Sequence, residues 1–184
     1  MIYVIIEKYY EDPHILHVGT QPPRAYYVPC ASAETALASE PRNASERLQL
    51  LNGIWQFAYY ESVHDLKERF YLPDAVRDGF GSLPVPSVWQ MQGYDRHQYT
   101  NNRYPFPFDP PYVPHHNPCG AYIHTFTLDD RPEGWKRFLN FEGVDACFYV
   151  WINGTWLGYS QVSHSTSEWE ITDHVHAGEN ELAV

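Results

Sequence analysis

Concentrated positive charge is the first thing missing from this sequence. Twelve Lys and Arg stand against 23 Asp and Glu, for a net charge of −11, and no basic cluster occurs. A surface that tracks phosphates needs such clusters, so nucleic acid is not an expected partner. No apolar run approaches the ~20 residues of a membrane-spanning helix, and no membrane association is expected. The opening Met1-Ile2-Tyr3-Val4-Ile5-Ile6-Glu7-Lys8 lacks a basic flank and a small-residue cleavage site, so it does not read as a secretory signal. Cys30, Cys119 and Cys147 are an odd set without repeating spacing. They argue against a disulfide framework and for a reduced, cytoplasmic setting. There is no Gly-x-Ser-x-Gly, phosphate loop or dinucleotide fingerprint.

Aromatic residues are what the sequence has in excess: 15 Tyr, 9 Phe and 6 Trp. Rings suit pleated, half-buried surfaces, so this excess favours a β-rich fold, and most of the rings are expected in its core. With 15 Pro and 11 Gly the chain breaks often, which suits many short strands better than long helices. A length of 184 residues fits one ordinary domain with an arm attached.

Residues 1–46 carry little periodicity and include Pro13, Pro22-Pro23, Pro29 and Pro41. They read as an extended arm lying over a body, with one helical turn near residues 33–39. The surface it packs on is expected to lie outside this chain or in another subunit. From Arg47 the signals become those of a β domain. Asn52-Gly53 precedes the alternating aromatic run Ile54-Trp55-Gln56-Phe57-Ala58-Tyr59. A short helix is predicted over residues 63–70, with Ser62 as its N-cap. Pro84-Val85-Pro86 then leads into a long loop, residues 90–118, that holds Pro105, Pro107, Pro110, Pro111 and Pro114. Loops of that length inside a compact domain are usually functional.

Strands are predicted over residues 122–128 and 138–144. The strongest local signal is the hairpin Ala146-Cys147-Phe148-Tyr149-Val150-Trp151-Ile152, Asn153-Gly154, Thr155-Trp156-Leu157-Gly158-Tyr159, because both central residues of its turn need positive φ. Two more strands are expected at 167–171 and 181–184, with Ala177-Gly178-Glu179-Asn180 turning between them. The apolar end Leu182-Ala183-Val184 has no polar tail, and an open strand edge there leads to the expectation of a piece of a longer protein.

The ordered blocks carry a family resemblance. Arg47-Leu48-Gln49-Leu50-Leu51-Asn52-Gly53-Ile54-Trp55-Gln56-Phe57 resembles the opening of the sandwich in family 2 glycosidases. Val85-Pro86-Ser87-Val88-Trp89-Gln90-Met91-Gln92-Gly93-Tyr94-Asp95 is similar to their next block in its β-galactosidase form. Tyr99-Thr100-Asn101-Asn102-Arg103-Tyr104-Pro105 resembles the galactose-side loop of those enzymes. Gly143-Val144-Asp145, Asn153-Gly154, Gly158-Tyr159-Ser160-Gln161 and Gly178-Glu179-Asn180 complete the series in order. The match covers about residues 47–184, and extends less securely into Glu11-Asp12-Pro13 and Arg24-Ala25-Tyr26-Tyr27.

The resemblance implies an all-β fold: a jelly-roll, galactose-binding-like β-sandwich over 47–184 with an extended N-terminal arm over 1–46. It implies one wall of the sugar pocket in a retaining β-galactosidase that cleaves terminal β-D-galactose, as in lactose. Asn101 matches the position that hydrogen-bonds the galactosyl unit. An amide suits the task, with two N–H donors and an acceptor oxygen for adjacent hydroxyls. The bland alternative for Asn101 is a turn cap in a proline-rich loop. Asn102 is the second candidate, although it departs from the apolar residue of some relatives. The two catalytic glutamates of the family belong to a barrel that these residues do not include. Asp109, Glu142, Asp145, Glu168 and Glu170 show no pairing that would replace them. For the full-length enzyme the resemblance implies Mg2+ and Na+; Gln161 is the candidate magnesium ligand here, beside a leader that departs from the pattern. Expected partners are galactosides, the remainder of the chain and, at full length, further copies in a homo-oligomer.

Two other classes remain beside this reading: a free-standing lectin-like module, and a structural sandwich without a ligand. A metal cluster of His115, His116 and Cys119 is not expected, because adjacent strand residues point to opposite faces. Asn43-Ala44-Ser45 and Asn153-Gly154-Thr155 match the glycosylation sequon but carry little weight without a secretory signal.

Overall fold

A computed structural model describes residues 7–38, 44–66, 69–99, 101 and 103–184. Among the described residues nine strands and one short α-helix follow one another: β1 (His17–Val18), α1 (Ala33–Leu37), β2 (Gly53–Tyr60), β3 (Gly81–Val85), β4 (Cys119–Leu128), β5 (Phe138–Phe141), β6 (Cys147–Ile152), β7 (Thr155–Gln161), β8 (Ser167–Glu170) and β9 (Gly178–Ala183). Seven of them form one antiparallel sheet in the order β1-β7-β6-β9-β4-β2-β3, and β5 pairs with β8 in a second. The fold is an all-β sandwich, as expected.

Alternation explains which side chains are buried. Along β6, Phe148, Val150 and Ile152 enter the core between the sheets, with Trp55, Phe126, Leu139, Trp169, Ile171 and Leu182. Trp151, on the other face of β6, joins Ala121, Ile123 and Ala183 beneath Leu66 and Phe70. The large sheet is therefore apolar on both faces near its centre. Each such buried Phe, Leu or Ile side chain contributes roughly 1.5–3 kcal/mol.

The Asn153-Gly154 turn forms as predicted, with φ of 50° and 77°. The helical turn in the arm is α1, where Ser32 accepts from the Thr35 amide at 3.2 Å. Three expectations are corrected. Of the helix predicted over residues 63–70, the described residues 63–66 form a single 3-10 turn, Val63–Asp65, and 67–68 lie outside the described residues. Ser62 does cap it, accepting from the His64 amide, but the Val63 amide donates to the Asn117 carbonyl at 3.0 Å. Leu66 and Phe70 both pack in the cluster with Ala121, Ile123 and Trp151. The strand after β8 begins at Gly178, inside the predicted turn, because residues 178–180 pair with 126–128 of β4. The chain turns earlier, where the His174 amide donates to Ile171.

The arm supplies the third correction: it packs on this chain's own sandwich. β1 pairs with the edge of β7. Tyr9 lies against Tyr149, Trp156 and Tyr159. Arg24 forms a two-point ion pair with Glu168, at 3.0 and 2.5 Å, and the Tyr26 hydroxyl donates to Glu142 at 2.8 Å.

Candidate functional site

The long loop is anchored at its base by rings. It leaves β3, makes the 3-10 turn Trp89–Gln92, and ends that turn at Gly93 in the left-handed region. Trp89 and Tyr94 then pack on Phe57, Tyr59 and each other's neighbours at centroid distances of 5.0–6.3 Å. Gly120 makes this possible. A Cβ there would stand 2.7–2.8 Å from the rings of Phe57, Trp89 and Tyr122. Burial pushes the Tyr122 hydroxyl up to about 12. It also raises Tyr59, helped by the carboxylates of Asp95 and Glu61. The indole N–H of Trp89 is buried without an acceptor among the described residues.

Beyond that base the loop exposes its aromatics. Phe108 is 95% exposed, Tyr104 74% and Tyr99 71%. Asn101 sits among them and donates its side-chain amide to the Tyr99 hydroxyl at 3.2 Å. Both partners are exposed, which leaves the Asn101 oxygen and the phenol free to meet hydroxyl groups. Next to the loop opens a broad cavity of about 2150 Å³, lined by Trp89, Gln98, Tyr104 and Phe106 on the loop side. Asn101 stands outside that lining. Asn102 and Thr100 lie outside the described residues.

Gln161 ends β7 and serves the arm: its backbone amide donates to Leu16 at 3.0 Å and its side-chain amide to Ile15 at 2.7 Å. Among the described residues no three His, Cys, Asp or Glu gather in a set able to hold a metal ion. One glutamine oxygen does not make a magnesium or sodium site, so these residues do not fit the ion by themselves. His115 packs its ring on His64, 5.6 Å between centroids.

The carboxylates are engaged elsewhere. Glu168 holds Arg24, Glu142 accepts from Tyr26, and Asp145 accepts from Ser163 at 2.5 Å. Lys136 at 2.9 Å holds the Glu170 carboxyl below the usual range. The positions that sequence reasoning missed are Trp89, Tyr94 and Gly120, which hold the loop's base, and Tyr99, which holds Asn101. A glycine at the start of an otherwise aromatic strand was the available signal for the first three, since it marks a close approach.

Comparison with known proteins shows the family of the chain. The family described as "Glycosyl hydrolases family 2, sugar binding domain" matches residues 48–184. A β-galactosidase of Actinobacillus pleuropneumoniae is 47% identical over 98% of this chain, and one of Staphylococcus xylosus is 44% identical over 97%. The chain spans 17% of the length of each of these relatives. Among solved structures, the β-glucuronidase of Bifidobacterium dentium superposes with a TM-score of 0.51 at 23% identity, covering 72% of this chain and 19% of that one. A β-glucuronidase of Ruminococcus gnavus gives 0.52 at 18%, covering 73% and 20%. At such identity the structures speak for the fold, and the β-galactosidases for the sequence: this chain belongs to the sugar-binding domain family of the family 2 glycosyl hydrolases.

Proposed function

We propose that these residues are the N-terminal domain of a retaining β-galactosidase that hydrolyses terminal β-D-galactose residues, and that they form one wall of its galactose pocket without being catalytic alone. The observation that carries this reading is the 47% identity to a β-galactosidase over nearly the whole chain. The geometry of the loop supports it. An exposed amide hydrogen-bonded to a phenol, on a loop whose base packs half-buried rings on Phe57 and Tyr59, offers the donors and acceptors that sugar hydroxyls take. Asn101 is the residue assigned to the galactosyl hydroxyls, with Asn102 beside it in sequence. The two carboxyl groups of a retaining mechanism, ~5–5.5 Å apart, then belong to the rest of the enzyme. The Mg2+ and Na+ of that enzyme draw their ligands mainly from there too, with Gln161 as a single candidate donor here. In this reading the full-length enzyme works in the cytoplasm as a homo-oligomer. No helix among the described residues is long and apolar enough to cross a membrane.

Hydrolysis assays on the full-length gene product test the assignment. A chromogenic β-D-galactoside is expected to be cleaved and the matching β-D-glucuronide left intact, with residues 1–184 alone inactive on both. Preference for the glucuronide would overturn the substrate class. In the same enzyme Asn101→Ala is expected to lower kcat/KM on the galactoside about 10- to 100-fold, the worth of one or two sugar hydrogen bonds at about 1.4 kcal/mol per tenfold. An unchanged kcat/KM would return Asn101 to the role of a turn residue.

A further inference from the structure

Two imidazoles meet where the long loop returns to the body. The loop ends at Pro114-His115-His116-Asn117-Pro118, and these residues run beside the 3-10 turn that Ser62 caps. Ser62 and Asn117 form a parallel bridge, and the Val63 amide donates to the Asn117 carbonyl at 3.0 Å. Ser62 is only 1% exposed, and its hydroxyl accepts from the His64 amide at 3.3 Å. These ties fix the backbones of the two segments against each other. They bring the rings of His64 and His115 together, with centroids 5.6 Å apart and 46° between the planes.

Burial does not explain the contact, because both histidines are exposed. Among the described residues no hydrogen bond occupies the ring nitrogens of either one. Each ring therefore keeps a nitrogen lone pair to offer. The spacing suits one ion shared by both. A zinc ion takes an imidazole nitrogen at ~2.0–2.1 Å, which sets the ring centroid ~3.2 Å from the metal. Two rings on one ion then have centroids ~5.2 Å apart at a tetrahedral angle and ~5.5 Å apart at ~120°. The observed 5.6 Å differs by a few tenths of an ångström, which small side-chain rotations of exposed residues absorb.

We propose that His64 and His115 together bind one borderline divalent cation, of the zinc, copper or nickel class. Imidazole nitrogens favour these metals, whereas magnesium prefers oxygen ligands. Among the described residues no third His, Cys, Asp or Glu joins the pair. Water therefore completes the coordination, and the ion exchanges more freely than in a closed four-ligand site. The ligands bind as neutral imidazoles, so protons compete with the metal. The consequence is mechanical. The ion links the turn Val63–Asp65 to the end of the loop that carries Asn101, and adds a second tie beside the hydrogen bond from Val63 to Asn117. The inference stands on these residues alone and does not rest on the galactosidase reading.

Zinc chloride is the probe, added to the full-length protein with magnesium present throughout. In soaked crystals, anomalous diffraction at the zinc edge is expected to show one peak ~2.0–2.1 Å from a nitrogen of each ring. No peak there, or a peak on one ring alone, would overturn the proposal, and this measurement needs no variant to fold. In solution at pH 7.5, equilibrium dialysis is expected to find one zinc ion fewer per chain in His64→Gln and in His115→Gln. Both positions are exposed, so urea midpoints without zinc are expected to match the parent. A variant that keeps the full zinc complement would overturn the shared site. Zinc is also expected to slow hydrogen exchange at the Val63 amide in the parent and in neither variant. Exchange there that ignores zinc would exclude the link between turn and loop. Galactoside cleavage enters none of these readouts, so the two readings fail separately.

Discussion

His124 lies flat on Trp55, 4.7 Å between ring centroids and 10° from parallel. Burial lowers its pKa from the usual 6.5. The unfolded chain then binds this proton more readily than the folded one. The contribution of His124 to stability is present above pH 6.5 and is lost as the pH falls through the lowered folded-state value. The urea midpoint of the chain is expected to drop between pH 7.5 and pH 5.5, and the His124→Gln variant to lose part of that drop. An unaltered pH dependence in the variant would exclude His124 as its source. Cys119 makes a complementary case. Burial pushes its thiol up to about 12, so almost none of it is thiolate near neutrality. Alkylation at pH 8 is expected to label Cys30 first and Cys119 only after unfolding, which peptide mapping reads directly.

The arm needs one close backbone approach, and the 69–80 connection depends on one arginine. Gly158 and Gly19 let β1 approach the edge of β7. A Cβ at Gly158 would collide with the Val18 carbonyl, and one at Gly19 with the Leu157 carbonyl. Gly158→Ala is therefore expected to release β1 with the arm behind it, seen as faster proteolysis within residues 12–25. The connection depends on Arg77. Its guanidinium grips Glu181 of β9 at 2.7 and 2.5 Å and also donates to the carbonyls of Phe70 and Leu72. The two charged side chains are only 12% and 14% exposed. Arg77→Met would leave Glu181 without its partner in a largely buried place, at a cost of about 3 kcal/mol in urea unfolding. Arg77→Lys is expected to recover only part of it, because an ammonium cannot match the forked contact.

The whole molecule is acidic, and its charge governs how it behaves in solution. A net charge of −11 and a pI near 5.2 place its solubility minimum about two pH units below neutrality. Light scattering from residues 1–184 is expected to peak near pH 5.2 and to fall on either side. What could be read from the sequence was of short range. Alternation of apolar residues marked β2, β4 and β6, and Asn153-Gly154 marked the β6–β7 hairpin, because the strand period and the positive φ are local properties. The ordered blocks ending in Gly178-Glu179-Asn180 carried the family, because residue types in a fixed order are legible without the fold. Tertiary structure decided the rest. Asn117 tied down the start of the 3-10 turn at Val63, and β4 began the last strand three residues early, through hydrogen bonds that span tens of residues. The arm found its partner in β7 and β8 of the same chain through ion pairs and ring contacts that no periodicity encodes. Asn101 was visible as a residue type, but its hydrogen bond to Tyr99 and the ring packing at the base of its loop were not. Side chains far apart in sequence meet only after the sheet has folded, and their energy comes from packing, not from any local pattern.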